Sequence, residues 1–241
     1  MDKHFELTDK FIINAFGAKL FQIKCTRKIK YADIGDLGGY IEKEDNLYGD
    51  AWVFGDAQVS GYARVSGYAR VSGDARVFGN AHVSGYALVF GDAQVFGNAQ
   101  VSGNAHVSGY ARVSGDAQVF GNAHVSGYAR VYGDAQVFGD AQVSGNAQVS
   151  GYARVSGYAR VSGDARVSND NEHCGFDCFG SANRHTHSYK TKSGKIEITC
   201  GCFRGSIEEF EKQIKETHRG NEFERQYMAI VEVIKIKFGL K

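Results

Sequence analysis

The sequence predicts an all-β solenoid, a parallel β-helix of about seven triangular coils, followed by a small α+β domain. Three observations carry that reading. A glycine recurs at every sixth position from Gly49 to Gly163 without an insertion, so twenty hexads fill residues 49–168. A second period of eighteen residues lies on top of the first: residues 103–120 and 121–138 differ only in having Ser114 against Tyr132. The chain also has 31 glycines and no proline among 241 residues. That composition suits a stack in which every strand donates and accepts ladder bonds, where proline would delete a donor.

The chemistry of one hexad gives strand rather than helix. In Gly115-Asp116-Ala117-Gln118-Val119-Phe120 the small Ala and larger Val alternate with polar or aromatic residues, the period of a half-buried strand. The Gly and the following Asp, Asn or Tyr form the corner, with glycine taking the left-handed dihedrals that tyrosine tolerates poorly. Three hexads per coil follow from the eighteen-residue period, and residues 59–77 recur unchanged at 149–167, five such periods on. A likeness between 73–90 and 115–132, seven hexads apart, marks expansion by single hexads as well. At about 4.8 Å per stacked strand the prism is roughly 32 Å long.

This hexad, with Val at the large inward position and Ala at the small one, resembles that of the hexapeptide-repeat, left-handed parallel β-helix proteins. The left hand is implied by the resemblance, because parallel crossovers otherwise favour the right. A homotrimer is implied in the same way. So is the comparison with that family's acyltransferases, which use a histidine base in a cleft between subunits.

Residues 1–48 precede the repeat and read as a strand-rich cap, since a solenoid end presents unpaired strand edges that need covering. Phe21, Ile23 and Cys25 alternate onto one face, and Ile41 and Leu47 fall six residues apart in register with Val53. The segment Gly35-Asp36-Leu37-Gly38-Gly39-Tyr40-Ile41-Glu42 resembles the lead-in of a bacterial and phage subgroup of hexapeptide-repeat proteins.

Function in the repeat has to sit at the variable position. Sorted by the eighteen-residue period, Trp52, Arg70, Leu88, His106, His124, Gln142 and Arg160 share one wall, and the other two carry mixtures of Arg, Gln and His. His106 and His124 stack one coil apart, but no loop leaves the coil to build a cleft around them, and they read as polar residues on a solvated face. Phe54, Phe78, Phe90, Phe96, Phe120, Tyr132 and Phe138 follow the inward Val and point outward by parity, which suggests a subunit or partner surface.

Residues 169–241 read as a small α+β domain closing the far end. Lys195 to Cys200 alternates as a strand, Ser206 and Glu209 form a capping box that opens one helix, and Asn221 and Glu224 open another. A two-residue turn at Ser193-Gly194 would set His187 opposite Cys200 and His185 opposite Cys202, and two Cys with two His suit zinc. Burial of that face against the helices is the competing expectation. The segment Cys200-Gly201-Cys202-Phe203-Arg204-Gly205 resembles a C-terminal module on similar phage and gut-bacterial proteins.

Charge narrows the function classes. The net charge is +1, and the repeat balances eight Asp with eight Arg, which disfavours a partner recognised through phosphate backbones. No run of eighteen apolar residues exists, and Met1-Asp2-Lys3-His4 lacks the apolar core of a signal peptide, so no membrane is expected and the location is expected to be cytoplasmic. Five cysteines do not read as a disulfide framework. The expectation is a non-catalytic structural or binding protein, phage-associated, that presents a regular β-helical surface to a protein partner. The alternatives are an acyltransferase acting at subunit interfaces, and a sponge holding a small anionic, nucleotide-like ligand between protomers.

Overall fold

In the computed structural model, which describes residues 3–240, every hexad folds alike because its side chains sort by size. The glycine turns the corner at a φ between +57° and +72°. Ala and Val then point inward, and throughout the repeat they are at most 3% exposed. Met1 and Asp2, the start of the segment read as lacking a signal-peptide core, lie outside the described residues.

The three walls begin at β4 (Trp52–Val53), β5 (Gln58–Val59) and β6 (Arg64–Val65) and take every third strand thereafter, ending with β23 (Arg166–Val167). Pairing is parallel and strictly periodic, so that Val89 lies between Val71 and Val107. The hexad Gly103–Ser108 shows the bonding. Asn104 N donates to Gly121 O, His106 N to Ala123 O and Ser108 N to Val125 O, at 2.8, 2.9 and 2.9 Å. Up to Ser150, the amide of every variable residue and of every residue after Val finds a partner one coil on, as buried backbone must; in the last coil Arg154 N donates instead to Asp170 Oδ1, at 2.8 Å.

Like stacks on like along the outside. The Tyr68 and Tyr86 rings are 4.9 Å apart, and Phe78 lies over Phe96 at 5.0 Å with the two ring planes nearly parallel. At one corner Asn104 donates to Asn122, which donates to Asp140, at 3.1 and 3.0 Å. Mutual stacking leaves Phe78, Phe96, Phe120 and Phe138 only partly exposed.

The N-terminal segment is built into the solenoid. β1 (Phe5–Ile13) and β2 (Lys19–Cys25) form an antiparallel hairpin, and β3 (Leu37–Ile41) pairs antiparallel with β2 but parallel with β5. Wall pairing therefore starts at Tyr40 and Ile41, opposite Gln58 and Val59, and Leu47 bridges Val65. The Gly38-Gly39 pair has a steric cause: a Cβ on Gly39 would lie 2.7 Å from the Ala57 carbonyl oxygen. Trp52, expected on an open wall, points outward yet is 1% exposed. His4 and Phe5 cover it, with His4 Nε2 3.0 Å from the Ala51 carbonyl.

Beyond the repeat, β24 (His173–Phe179), β25 (Arg184–Lys190), β26 (Ile196–Cys200) and β27 (Phe203–Gly205) form an antiparallel sheet in chain order, followed by α1 (Ile207–His218) and α2 (Glu222–Phe238). Ser206 and Glu209 cap α1 reciprocally, and Asn221 accepts from the Phe223 and Glu224 amides at the start of α2. One face of the sheet packs Ile198 and Cys200 against Phe210, Tyr227, Ile230 and Ile234. The other lies on the last coil, where Tyr189 joins the solenoid core.

Candidate functional site

Titratable side chains converge at the seam between the last coil and the C-terminal sheet, and the sheet register decides which ones meet. The turn after β25 holds three residues, Lys192 to Gly194, because Thr191 N bonds Lys195 O at 2.8 Å and Gly194 N bonds Thr191 O at 2.9 Å. Relative to a two-residue turn, the partners shift by one: Thr186 faces Cys200, and His187 faces Thr199. A one-residue shift exchanges the faces of a strand.

The expected zinc set is therefore corrected. His185 and His187 point to the solenoid, while Cys200 points to the helices, where Thr186 Oγ1 and Tyr227 OH approach its sulfur. Cys202 is exposed in the turn before β27. Among the described residues no group of three or more His, Cys, Asp or Glu is arranged to hold a metal ion.

The solenoid face instead holds a histidine chain. His187 Nδ1 lies 3.1 Å from the Arg160 carbonyl and so carries the proton, which leaves Nε2 to accept from His173 Nδ1, also at 3.1 Å. Burial, reinforced by His173, pushes the His187 pKa down to about 3, and burial lowers that of His173. His185 gives Nδ1 to Asp177 at 2.6 Å, while its Nε2 is buried without a partner and packs against Gly175. Tyr189 OH donates to Glu197, 2.8 Å away, and lies 3.3 Å from Ser162 Oγ; burial first, with Glu197 adding, raises its pKa to about 12.

Beside this chain opens a cleft of about 610 Å³. The last coils supply Asp140, Gln142, Tyr158 and Arg160, and the sheet supplies Asp177, Arg184, His185 and Thr199. Arg160 was legible as a wall position. Arg184 and His173 were not, because neither carries a repeat or a motif.

On the open wall, His106 and His124 pair directly, with ring centroids 4.6 Å apart. Burial, the His124 charge and Arg70 hold the His106 pKa down.

The comparisons agree with this geometry. The model of the YdcK beta solenoid repeat matches residues 69–85, 93–115, 117–133 and 141–157, all within the hexads. The chain is a β-solenoid repeat protein. The matched segments of this solenoid leave out both the N-terminal hairpin and the C-terminal sheet. No curated protein matches the chain, and among the described residues no helix is long and apolar enough to cross a membrane.

Proposed function

We propose that this solenoid is a non-catalytic structural and binding protein, a stiff rod whose three walls present a repeating surface, assembled as a homotrimer in the cytoplasm. The observation that carries the reading is the uninterrupted coil: twenty hexads with interiors filled by Ala and Val and no loop leaving a wall. A coil so filled keeps no enclosed space for a substrate. The phage association rests on the likeness of Gly35–Glu42 and Cys200–Gly205 to segments of phage and bacterial proteins.

Acyl transfer finds less support. Fold alone does not imply function, His185 has Nε2 buried against Gly175, and His106 and His124 lie on an open wall. Native mass spectrometry of the full chain tests the assembly, with three subunits expected and a monomer overturning it. Incubation with acetyl-coenzyme A and amine or hydroxyl acceptors tests the chemistry. No turnover is expected, and catalytic formation of acetylated product would overturn the non-catalytic reading.

A further inference from the structure

The seam cleft brings two guanidinium groups onto one residue. Arg160, from the last coil, donates from Nη1 to the Gly201 carbonyl at 3.2 Å. Arg184, from β25, lies along the same glycine so closely that a Cβ there would stand 2.7 Å from its Nη1 and 2.8 Å from its Cδ. Among the described residues neither arginine has a carboxylate within ion-pair distance. The two acids that line the cleft are engaged elsewhere: Asp177 holds His185, and Asp140 accepts from Asn122. Both guanidiniums therefore keep donors free for an anion, which they bind by charge-assisted hydrogen bonds at Gly201 rather than through the net charge of the cleft, since Asp140 and Asp177 offset it.

We propose that this cleft binds a phosphate monoester carried on a flat ring, with Arg160 and Arg184 clamping the phosphate and Tyr158 supporting the ring. A carboxylate is satisfied by a single guanidinium fork, whereas the three terminal oxygens of a phosphate suit two forks arriving from different elements. Tyr158 lines the cleft with its ring 62% exposed, a free aromatic face for stacking. Gln142, Asn183 and Thr199 add neutral hydrogen-bonding groups. The volume falls within the several hundred Å³ usual for small-molecule sites. The site lies inside one chain, so it stands or falls separately from the trimer.

The test is calorimetric titration of the full chain with adenosine 5′-monophosphate, inorganic phosphate and adenosine. The monophosphate binds, more weakly as salt is raised, and adenosine does not. Arg184→Ala, which removes no hydrogen bond seen in the fold, weakens binding by about tenfold or more. Gly201→Ala, which displaces Arg184, does the same; because Gly201 has φ +60° this variant melts somewhat lower, and native circular dichroism of both variants at the titration temperature shows that they remain folded. Phosphate binding as tightly as the monophosphate overturns the ring platform. Equal affinity of wild type and Arg184→Ala overturns the clamp, and no heat from either anion at millimolar concentration overturns the site.

Discussion

At the scale of single residues, the corner glycines do two jobs that separate along the rod. Gly121 has φ +72°, and a Cβ on it would approach the Gly139 amide nitrogen to 3.0 Å; Gly157 has φ +62° with nothing within 4 Å of the same position. An L-residue in the left-handed region costs about 1–2 kcal/mol at either place. Only at Gly121 must the neighbouring backbone also move. Gly157→Ala is therefore expected to lose about that amount in denaturant unfolding, and Gly121→Ala distinctly more. Equal losses would show that dihedral strain alone fixes the glycine period. Both roles are implicit in a glycine at every sixth position, but the sequence does not say which corner lies uncovered.

At the scale of elements, the docking of β25 on the last coil is tied to proton balance. His187 has a folded pKa of about 3 against an ordinary value near 6.5. Between those values the unfolded chain binds more protons, so its contribution is fully present above about pH 6.5 and is lost as the pH falls toward 3. His173 is shifted in the same direction. Protection factors of the amides of residues 184–200, with the intrinsic exchange rate at each pH divided out, are expected to fall from about pH 7 to about pH 5 while those of the central coils hold. His187→Asn, which keeps a donor for the Arg160 carbonyl, should flatten that dependence; an unaltered pH profile in the variant would remove His187 from the account. Here the sequence was only partly legible. The strand at Lys195–Cys200 and both helix caps follow from local chemistry. The pairing register turns on whether the loop has two or three residues, and Lys192-Ser193-Gly194 accommodates either choice.

At the scale of the whole molecule, the coil fixes how the ends face one another. Deleting residues 103–120 removes one coil, shortens the rod by about 4.8 Å and leaves every later hexad on its own wall. Deleting only 103–108 moves each later hexad to the next wall and turns the C-terminal sheet by a third of a revolution. The first variant should keep protection at Tyr189 and near-native melting. The second should melt lower, because Phe90 no longer meets a histidine such as His106, nor Asn98 an aspartate such as Asp116, where it was cut. Similar melting of the two would argue against three-wall periodicity. All three wall memberships were readable from the eighteen-residue period, since the repeat itself encodes what stacks on what. The seam was not, because it joins a periodic wall to a sheet with no period.

Near-identity of successive coils also bears on how the chain reaches its native pairing. Because residues 103–120 and 121–138 are almost interchangeable, a growing stack can capture the wrong copy, satisfy its ladder bonds and extrude eighteen residues as a loop. Local pairing energy barely distinguishes the two outcomes. Discrimination falls to the unique junctions, Gly38-Gly39 against Ala57 at one end and Arg160 against Gly201 at the other, so slipped intermediates persist until the terminal elements proofread the count.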